Sequence, residues 1–263
     1  MFLSTIRRYI GKLSQVTYYI IGTWLCLASC AGLSDPRPMV YKDIPDYEGG
    51  TQRVLTVVND PRPVEQIIKD AEELVMLKAY ADAADEYAYV VYKDPSVGRY
   101  YLRYAELLER IDKDNAARKV YSQALENVPE DDPARVEIIH RMALIDANHL
   151  FKVEEAEELL HLLPSGSIER YDLAAFLYYQ AHQYDSALEL LNNALERVRD
   201  ADQKALLMFH ASLIYHELGD VKNTFGSLYH AINLSEHLGL IRDIENFWEL
   251  INQDQPLGTG YPE

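Results

Sequence analysis

A recurrence at a spacing of 34 residues constrains this chain more than any other feature of its sequence. A small residue, an aromatic residue, a further small or apolar residue and a proline keep the same spacing twice. The two sets are Ala83, Tyr87, Val90 and Pro95, and Ala117, Tyr121, Ala124 and Pro129. The first three members of each set share one helical face, and the proline ends the helix because it removes a backbone donor. A period of this length indicates stacked helical units.

The same pattern continues, less regularly, to about residue 235. The later equivalents are Ala156 and Leu160, then Tyr184, Ala187, Leu191 and Ala194, then Gly219, Leu228 and Ala231, with Thr224 in place of the small alanine. The pattern resembles the second helix of a tetratricopeptide repeat (TPR), in which the small residue lets two helices approach and the aromatic fills the gap to the next repeat. An ordinary helical bundle is the alternative, but it would not keep these positions in step.

The resemblance implies an all-α fold. We expect a TPR-like α-solenoid of about five helix-turn-helix repeats over residues 64–235. Residues 236–263 are expected to hold a capping helix and a tail, because Ile244, Phe247, Trp248 and Ile251 follow one another at helical spacing. An uncapped end of a solenoid would expose its core.

The N-terminal residues have the pattern of a processing signal. Arg7, Arg8 and Lys12 precede an apolar run of about 13 residues, which is too short for a comfortable membrane span and suits a secretory signal. The segment ending at Cys30, Leu-Ala-Ser-Cys, resembles a bacterial lipobox. That resemblance implies that residues 1–29 are a lipoprotein signal peptide, and that Cys30 carries a covalent lipid; no other cofactor is expected. An uncleaved anchor helix or an ordinary signal peptide with a chance cysteine is the alternative.

The residue after Cys30 is Ala31 and not aspartate. By resemblance to the sorting pattern of Gram-negative bacteria, this favours the periplasm-facing leaflet of the outer membrane. Residues 30–63 are rich in proline, which predicts an acylated N-terminus followed by a mostly extended tether. A strand at Val54–Val58, or docking of that stretch on the first repeat, is the alternative.

Charge and motifs exclude several classes of function. The net charge of −17 repels the phosphates of nucleic acids. No cysteine follows residue 30, so a disulfide framework or a thiolate metal site cannot form in the body of the chain. His216-Glu217 is followed by Asp220, where a zinc-binding HExxH helix needs its second histidine. Because GxSxG and phosphate-loop motifs are also missing from the sequence, we expect no enzyme and no metal site.

The first helix of each repeat lines the concave wall of such solenoids. We therefore predict a partner-binding groove, because aromatic and arginine residues favour the centres of interfaces. Its predicted members are Arg99, Leu102, Arg141, His149, Phe176, Tyr179, Phe209 and His216, with further inward positions at Glu106, Glu109, Ile145, Asp172 and Leu213. The alternative is that these aromatics pack against a neighbouring repeat or the capping helix.

A lipid anchor followed by a TPR solenoid is similar in layout to three classes of envelope lipoprotein. They are the pilotins of secretins, the repeat lipoprotein of the barrel-assembly complex, and adaptors of peptidoglycan hydrolases. We expect a protein–protein interaction scaffold whose partners are secretin, pilus or outer-membrane assembly components, with the pilotin type favoured. A self-associating scaffold, such as a homodimer formed through solenoid ends, and a glycan-binding or hydrolytic domain are the alternatives.

Overall fold

The computed structural model describes residues 39–45, 51–57 and 60–254. The first two stretches form a β-hairpin, with β1 at Met39–Pro45 and β2 at Thr51–Val57. The strands are antiparallel, from Met39 opposite Val57 to Pro45 opposite Thr51. The strand alternative at Val54–Val58 is therefore found for Val54–Val57, and proline stands only at the end of a strand, where its missing donor matters least. The predicted signal peptide, Cys30 and the tail beyond residue 254 lie outside the described residues.

The rest of the described chain is helical. The helices are α1 (Val64–Met76), α2 (Tyr80–Lys93), α3 (Gly98–Arg110), α4 (Asp114–Asn127), α5 (Ala134–Asn148), α6 (Val153–Leu162), α7 (Ile168–Gln180), α8 (Tyr184–Leu195), α9 (Ala201–Glu217), α10 (Val221–Leu234) and α11 (Leu238–Asp254). Successive helices from α1 to α10 pack on one another, and α3, α5, α7 and α9 also contact each other in that order. Five pairs followed by one helix confirm the predicted all-α solenoid. None of the helices in residues 64–254 is long and apolar enough to cross a membrane.

The positions that define the sequence period lie inside this array. Ala83, Ala117, Ala156 and Ala187 are fully buried at equivalent places in α2, α4, α6 and α8, and Thr224 is buried at the same place in α10. The hydroxyl of Thr224 donates to the backbone oxygen of Asp220 at 2.8 Å, so its polar atom has a partner inside the helix. Small residues at these positions let the two helices of each pair approach closely.

The turn inside each pair contains one residue with a left-handed backbone. These residues are Lys78, Asp112, Phe151, His182 and Gly219, with φ between 54° and 72°. After α1, the N–H of Ala79 donates to the oxygen of Leu74 and the N–H of Lys78 donates to that of Val75, both at 2.9 Å. This is the Schellman arrangement, which satisfies the last carbonyls of a helix and favours glycine at its left-handed position.

Arginine side chains close the turns between pairs. Arg135, near the start of α5, donates to the backbone oxygens of Leu125 and Val128 at 2.9 and 2.7 Å. Arg170, near the start of α7, donates to those of Leu160 and Leu163, both at 2.9 Å. In both cases the arginine binds carbonyls at the C-terminal end of the preceding second helix, where the last carbonyls lack the regular helical donor.

Helix α11 does more than cap the last helix pair. It contacts α10, but it packs mainly against α3, the first helix of the second pair. We call the surface formed by α3, α5, α7 and α9 the first-helix wall. The chain thus returns across this wall, and its C-terminal helix ends more than a hundred residues away in sequence from the helix that it covers.

The left-handed turns give a test of stability. Replacing Lys78 (φ 58°) by glycine should raise the free energy of unfolding by about 0.5–1 kcal/mol, because relief of the left-handed penalty outweighs the entropy that glycine gains in the unfolded chain. Lys69→Gly, in the middle of α1, is the matched control and should lower it by about 1 kcal/mol. Urea titration measures both. Equal destabilisation by the two variants would contradict the turn assignment.

Candidate protein-binding groove and its internal helix

The structure places the predicted groove residues on the first-helix wall. Arg99 and Leu102 lie on α3, Arg141 on α5, His149 directly after α5, Phe176 and Tyr179 on α7, and Phe209 and His216 on α9. Their exposure differs from the expectation of an open groove. Phe176 is 1% exposed, Phe209 4% and Arg141 7%. Arg99 is exposed, and Leu102, His149, Tyr179 and His216 are partly buried.

Helix α11 accounts for part of this burial. Leu240, Ile244, Phe247 and Ile251 form an apolar stripe along it, and all four side chains are buried. The ring of Phe247 lies 6.1 Å from that of Phe209 and 5.4 Å from that of His216, both edge to face. Each apolar side chain buried in this way stabilises the contact by roughly 1.5–3 kcal/mol before ordering costs. Phe209 and His216 thus pack against α11, which is the alternative that the sequence left open for the groove aromatics.

A charged cluster joins α11 to the wall beside this stripe. The guanidinium of Arg242, 4% exposed, donates to the backbone oxygen of Glu109 and to the carboxylate of Asp114 at 2.8 Å. Its second amino group lies 3.1 Å from Nε2 of His149, which is also 3.3 Å from a carboxylate oxygen of Asp243. Burial acts to lower the pKa of His149, but the carboxylates of Asp243 and Asp114 outweigh it and raise that pKa. The sequence singled out His149 but gave no sign of Arg242, because its partners outside α11, Glu109 and Asp114, are distant in sequence.

The N-terminal end of α11 sits on two glutamates of α3. The backbone N–H of Leu238 donates to the carboxylate of Glu106 at 2.7 Å, which supplies a partner and a negative charge at the start of the helix. Arg103 also pairs with Glu106, at 2.9 Å. Gly239 lies so close to Glu109 that an added Cβ would overlap its carboxylate and stand 2.9 Å from its Cβ. Only glycine lets the two helices approach this closely.

Glu109 is the most unusual acid on the wall. Its side chain is buried, and one carboxylate oxygen accepts the hydroxyl proton of Tyr121 at 2.7 Å. Burial raises the pKa of Glu109 to about 7, although Arg141 and the hydroxyl of Tyr121 act to lower it. The ionised form is therefore disfavoured where α11 covers α3.

A second buried polar cluster joins three helices of the wall. Asp172, on α7, accepts hydrogen bonds from His140 of α5 at 2.9 Å and from His210 of α9 at 2.7 Å. All three side chains are buried. Burial acts to raise the pKa of Asp172, but the two histidines outweigh it and hold that pKa well below its usual range. The sequence placed Asp172 on the inner face, but its two partners were missed. Separations of 32 and 38 residues, close to the repeat period, were the available signal.

Comparison with known proteins agrees with this architecture. Residues 152–231 match the family model of the SusR N-terminal TPR domain. The fold of the helical array is therefore TPR-like, and the family model matches its residues 152–231. The crystal structure of the APC/C hetero-tetramer Cut9–Hcn1 is similar, with a TM-score of 0.52 and 12% identity over 74% of this chain and 38% of that one. This chain therefore spans well under half the length of that relative.

Two further TPR structures resemble the chain at lower TM-scores. YrrB, a TPR protein with an unusual peptide-binding site, has a TM-score of 0.41 and 15% identity over 71% of this chain and 94% of its own. PilW, a type IV pilus biogenesis factor, has a TM-score of 0.48 and 13% identity over 77% of this chain and 97% of its own. No curated protein sequence matches the chain. At these identities the similarity shows the fold alone.

The position of Glu109 predicts a pH dependence. Its raised pKa contributes stability that is present below about pH 4.5 and is lost as the pH rises through about 7. Glu109→Gln removes this loss, so the stability of the variant relative to wild type should increase by about 2–3 kcal/mol between pH 5 and pH 8. Denaturant titrations across this range measure the difference. Glu130→Gln, at an exposed turn position, is the control, and a Glu109→Gln profile parallel to wild type would refute the assignment.

Proposed function

We propose that this protein is a lipid-anchored scaffold that binds envelope proteins during assembly of an envelope machine. Within that class we favour the pilotin role in secretin or pilus biogenesis, on the layout of the lipobox-like segment ending at Cys30 followed by a TPR solenoid. The observation that carries the proposal is the contact between α11 and the first-helix wall. A surface that holds an amphipathic helix of its own chain has the shape and polar partners to hold a helix of another protein.

The contacts of α11 define what such a partner must offer. Its helix has to supply apolar side chains where Leu240 and Phe247 lie, and a cation where Arg242 lies. The cation is needed because displacing Arg242 leaves the carboxylate of Asp114 and the backbone oxygen of Glu109 without their donor. Binding at this groove is therefore an exchange, in which the partner replaces α11.

The buried histidines are better explained by structure than by catalysis. His140, Asp172 and His210 form the cluster that most resembles catalytic residues in the described part of the chain, yet each residue is no more than 5% exposed. A substrate has no access to any of them in this conformation. TPR proteins are in general interaction scaffolds, and we propose no catalytic activity here.

Crosslinking in cells tests the exchange. A photo-crosslinking residue placed at Leu102 or at Tyr179 reports on the partly buried wall, since Phe176 and Phe209 are too buried to do so. Gly239→Leu should release α11 from Glu109 and increase capture of the partner several-fold. Gly226→Leu is the matched control, because a Cβ added at that exposed helical glycine meets no atom within 4 Å.

The captured proteins decide between the forms of the proposal. A secretin or pilus component supports the pilotin role. A barrel-assembly subunit or a peptidoglycan hydrolase replaces that role by the other two classes, and crosslinks only to a second copy of this chain favour the self-associating scaffold. No capture from either position, with Gly239→Leu present and folded, would refute groove binding.

The anchor has its own test. Cys30→Ser should abolish incorporation of radiolabelled palmitate and move the protein from the outer-membrane fraction to the soluble periplasmic fraction. Cys26→Ser, in the predicted signal peptide, is the control and should leave both unchanged. Unchanged labelling of the Cys30→Ser variant would overturn the proposed lipid site.

A further inference from the structure

Helix α10, the second helix of the last pair, lacks the neighbouring helix that covers the second helices of the other pairs. Each of α2, α4, α6 and α8 is followed by the first helix of the next pair, which packs on it. Helix α10 is followed by α11, which runs mainly along α3. The face of α10 on which another first helix would sit is thus only partly covered.

Equivalent residues show the difference. Leu125 of α4, Leu195 of α8 and Ile232 of α10 each stand eight residues after the small residue of their helix. Leu125 and Leu195 are partly buried, and both pack against the hydrophobic core. Ile232 is 44% exposed. This apolar position is therefore buried by the following helix in the inner pairs, and it is exposed to solvent in the last pair.

The open face forms a groove between α10 and α11. We call it the end groove. It has a volume of about 440 Å³ and is lined by Phe225, Leu228, Tyr229 and Ile232 from α10 and by Ile244, Glu245, Trp248 and Glu249 from α11. The side chain of Tyr229 is 66% exposed and that of Trp248 46% exposed. The α10 residues have the spacing i, i+3, i+4 and i+7 on one helical face. Leu228 is buried at its base, and Phe225, Tyr229 and Ile232 present the stripe to a bound helix.

Charge selects among the possible occupants. Glu245 and Glu249 stand on the α11 side of the end groove, and Glu245 already pairs with Arg110 at 2.6 Å. Glu249 is exposed and one turn further along the helix. A basic helix gains from this edge, whereas a second copy of this chain would bring the same acids towards it in a symmetric pairing. On the α10 side, the exposed Lys222 lies one turn before Phe225.

We propose that the end groove binds an amphipathic helix of a partner protein, with an apolar stripe facing α10 and basic side chains facing Glu245 and Glu249. The bound helix takes the place that the first helix of a sixth pair would have. This site is separate from the first-helix wall and does not depend on the lipid anchor, so it stands or falls independently of the proposed function.

Tryptophan fluorescence can test the site directly. The chain has two tryptophans, Trp24 in the predicted signal peptide and Trp248 in the end groove, so Trp24→Phe makes Trp248 the sole reporter even where the signal is retained. The full chain in detergent is titrated with a designed helical peptide that has leucine at i, i+3, i+4 and i+7 and lysine along one edge. A blue shift that saturates is expected, since the peptide removes Trp248 from water. The same peptide with glutamate in place of lysine should bind at least tenfold more weakly.

Two variants distinguish a specific site from adventitious apolar contact. Ile232→Lys removes an apolar contact and opposes a basic helix, so affinity for the lysine peptide should fall at least tenfold. Leu162→Lys, at an exposed apolar position of α6, is the matched control and should not change it. Glu249→Lys should reverse the charge preference towards the glutamate peptide, which a merely structural effect would not do.

Three results would overturn the proposal. The first is no spectral shift with the lysine peptide, or an equal shift with both peptides. The second is a shift that depends on protein concentration without peptide, which would make a second copy the occupant. The third is a red shift of Trp248 when residues 256–263 are deleted, which would make the chain's own tail the occupant.

Discussion

Close approach of paired helices is the constraint on which the rest of this structure depends. Ala83, Ala117, Ala156 and Ala187 are each fully buried at the crossing of a helix pair, and only the small Thr224 replaces alanine at this position in α10. Once pairs form, each has an apolar face that only another pair can cover. The stacking of first helices into a wall, and therefore the existence of a groove, follows from these small residues.

The contact of α11 with the wall combines apolar burial with buried charge, and the two have different consequences. The stripe that contains Leu240 and Phe247 supplies affinity but tolerates sliding along the wall. Arg242 fixes the register, because only one position of α11 satisfies it with Asp114 and with the backbone oxygen of Glu109. Buried charges cost much of what they gain, so their main effect here is to specify one docking geometry.

The sequence predicted the repeats well because their signal is local. The spacing of Ala117 and Tyr121 in the sequence is enough to predict their packing, since the two helices of a pair are close in sequence. The turns were harder. Gly219 is the one glycine among the five left-handed residues inside the helix pairs, and Lys78 or His182 gives no such signal. The sequence offered a strand at Val54–Val58 only as an alternative to a tether, and it did not predict the partner strand that ends at Pro45, because a proline-rich stretch favours an extended linker.

The sequence predicted which residues lie on the wall, but not whether the wall is open or covered. Phe176 and Phe209 do lie on the wall, as their repeat register required. Whether they were open depended on where α11 docks, and that contact joins residues more than a hundred positions apart. Periodicity identified α11 as a helix with an apolar stripe, but two surfaces were available to that stripe: the last pair and the wall. Gly239 and Arg242 decide for the wall, and neither residue type is diagnostic without its partner on α3 or α4.

Helix α11 contributes to both candidate surfaces, and this couples them. Its buried side, with Phe247, fills the wall, and its Trp248 side completes the end groove. A helix bound in the end groove contacts α11 only while α11 is seated, and so stabilises the seated form. A helix bound to the wall requires that α11 leave. By thermodynamic reciprocity each of these ligands weakens the other by the same factor, with no contact between them. The two proposed sites therefore oppose each other through α11, and the strength of this coupling depends on the contact between α11 and the wall.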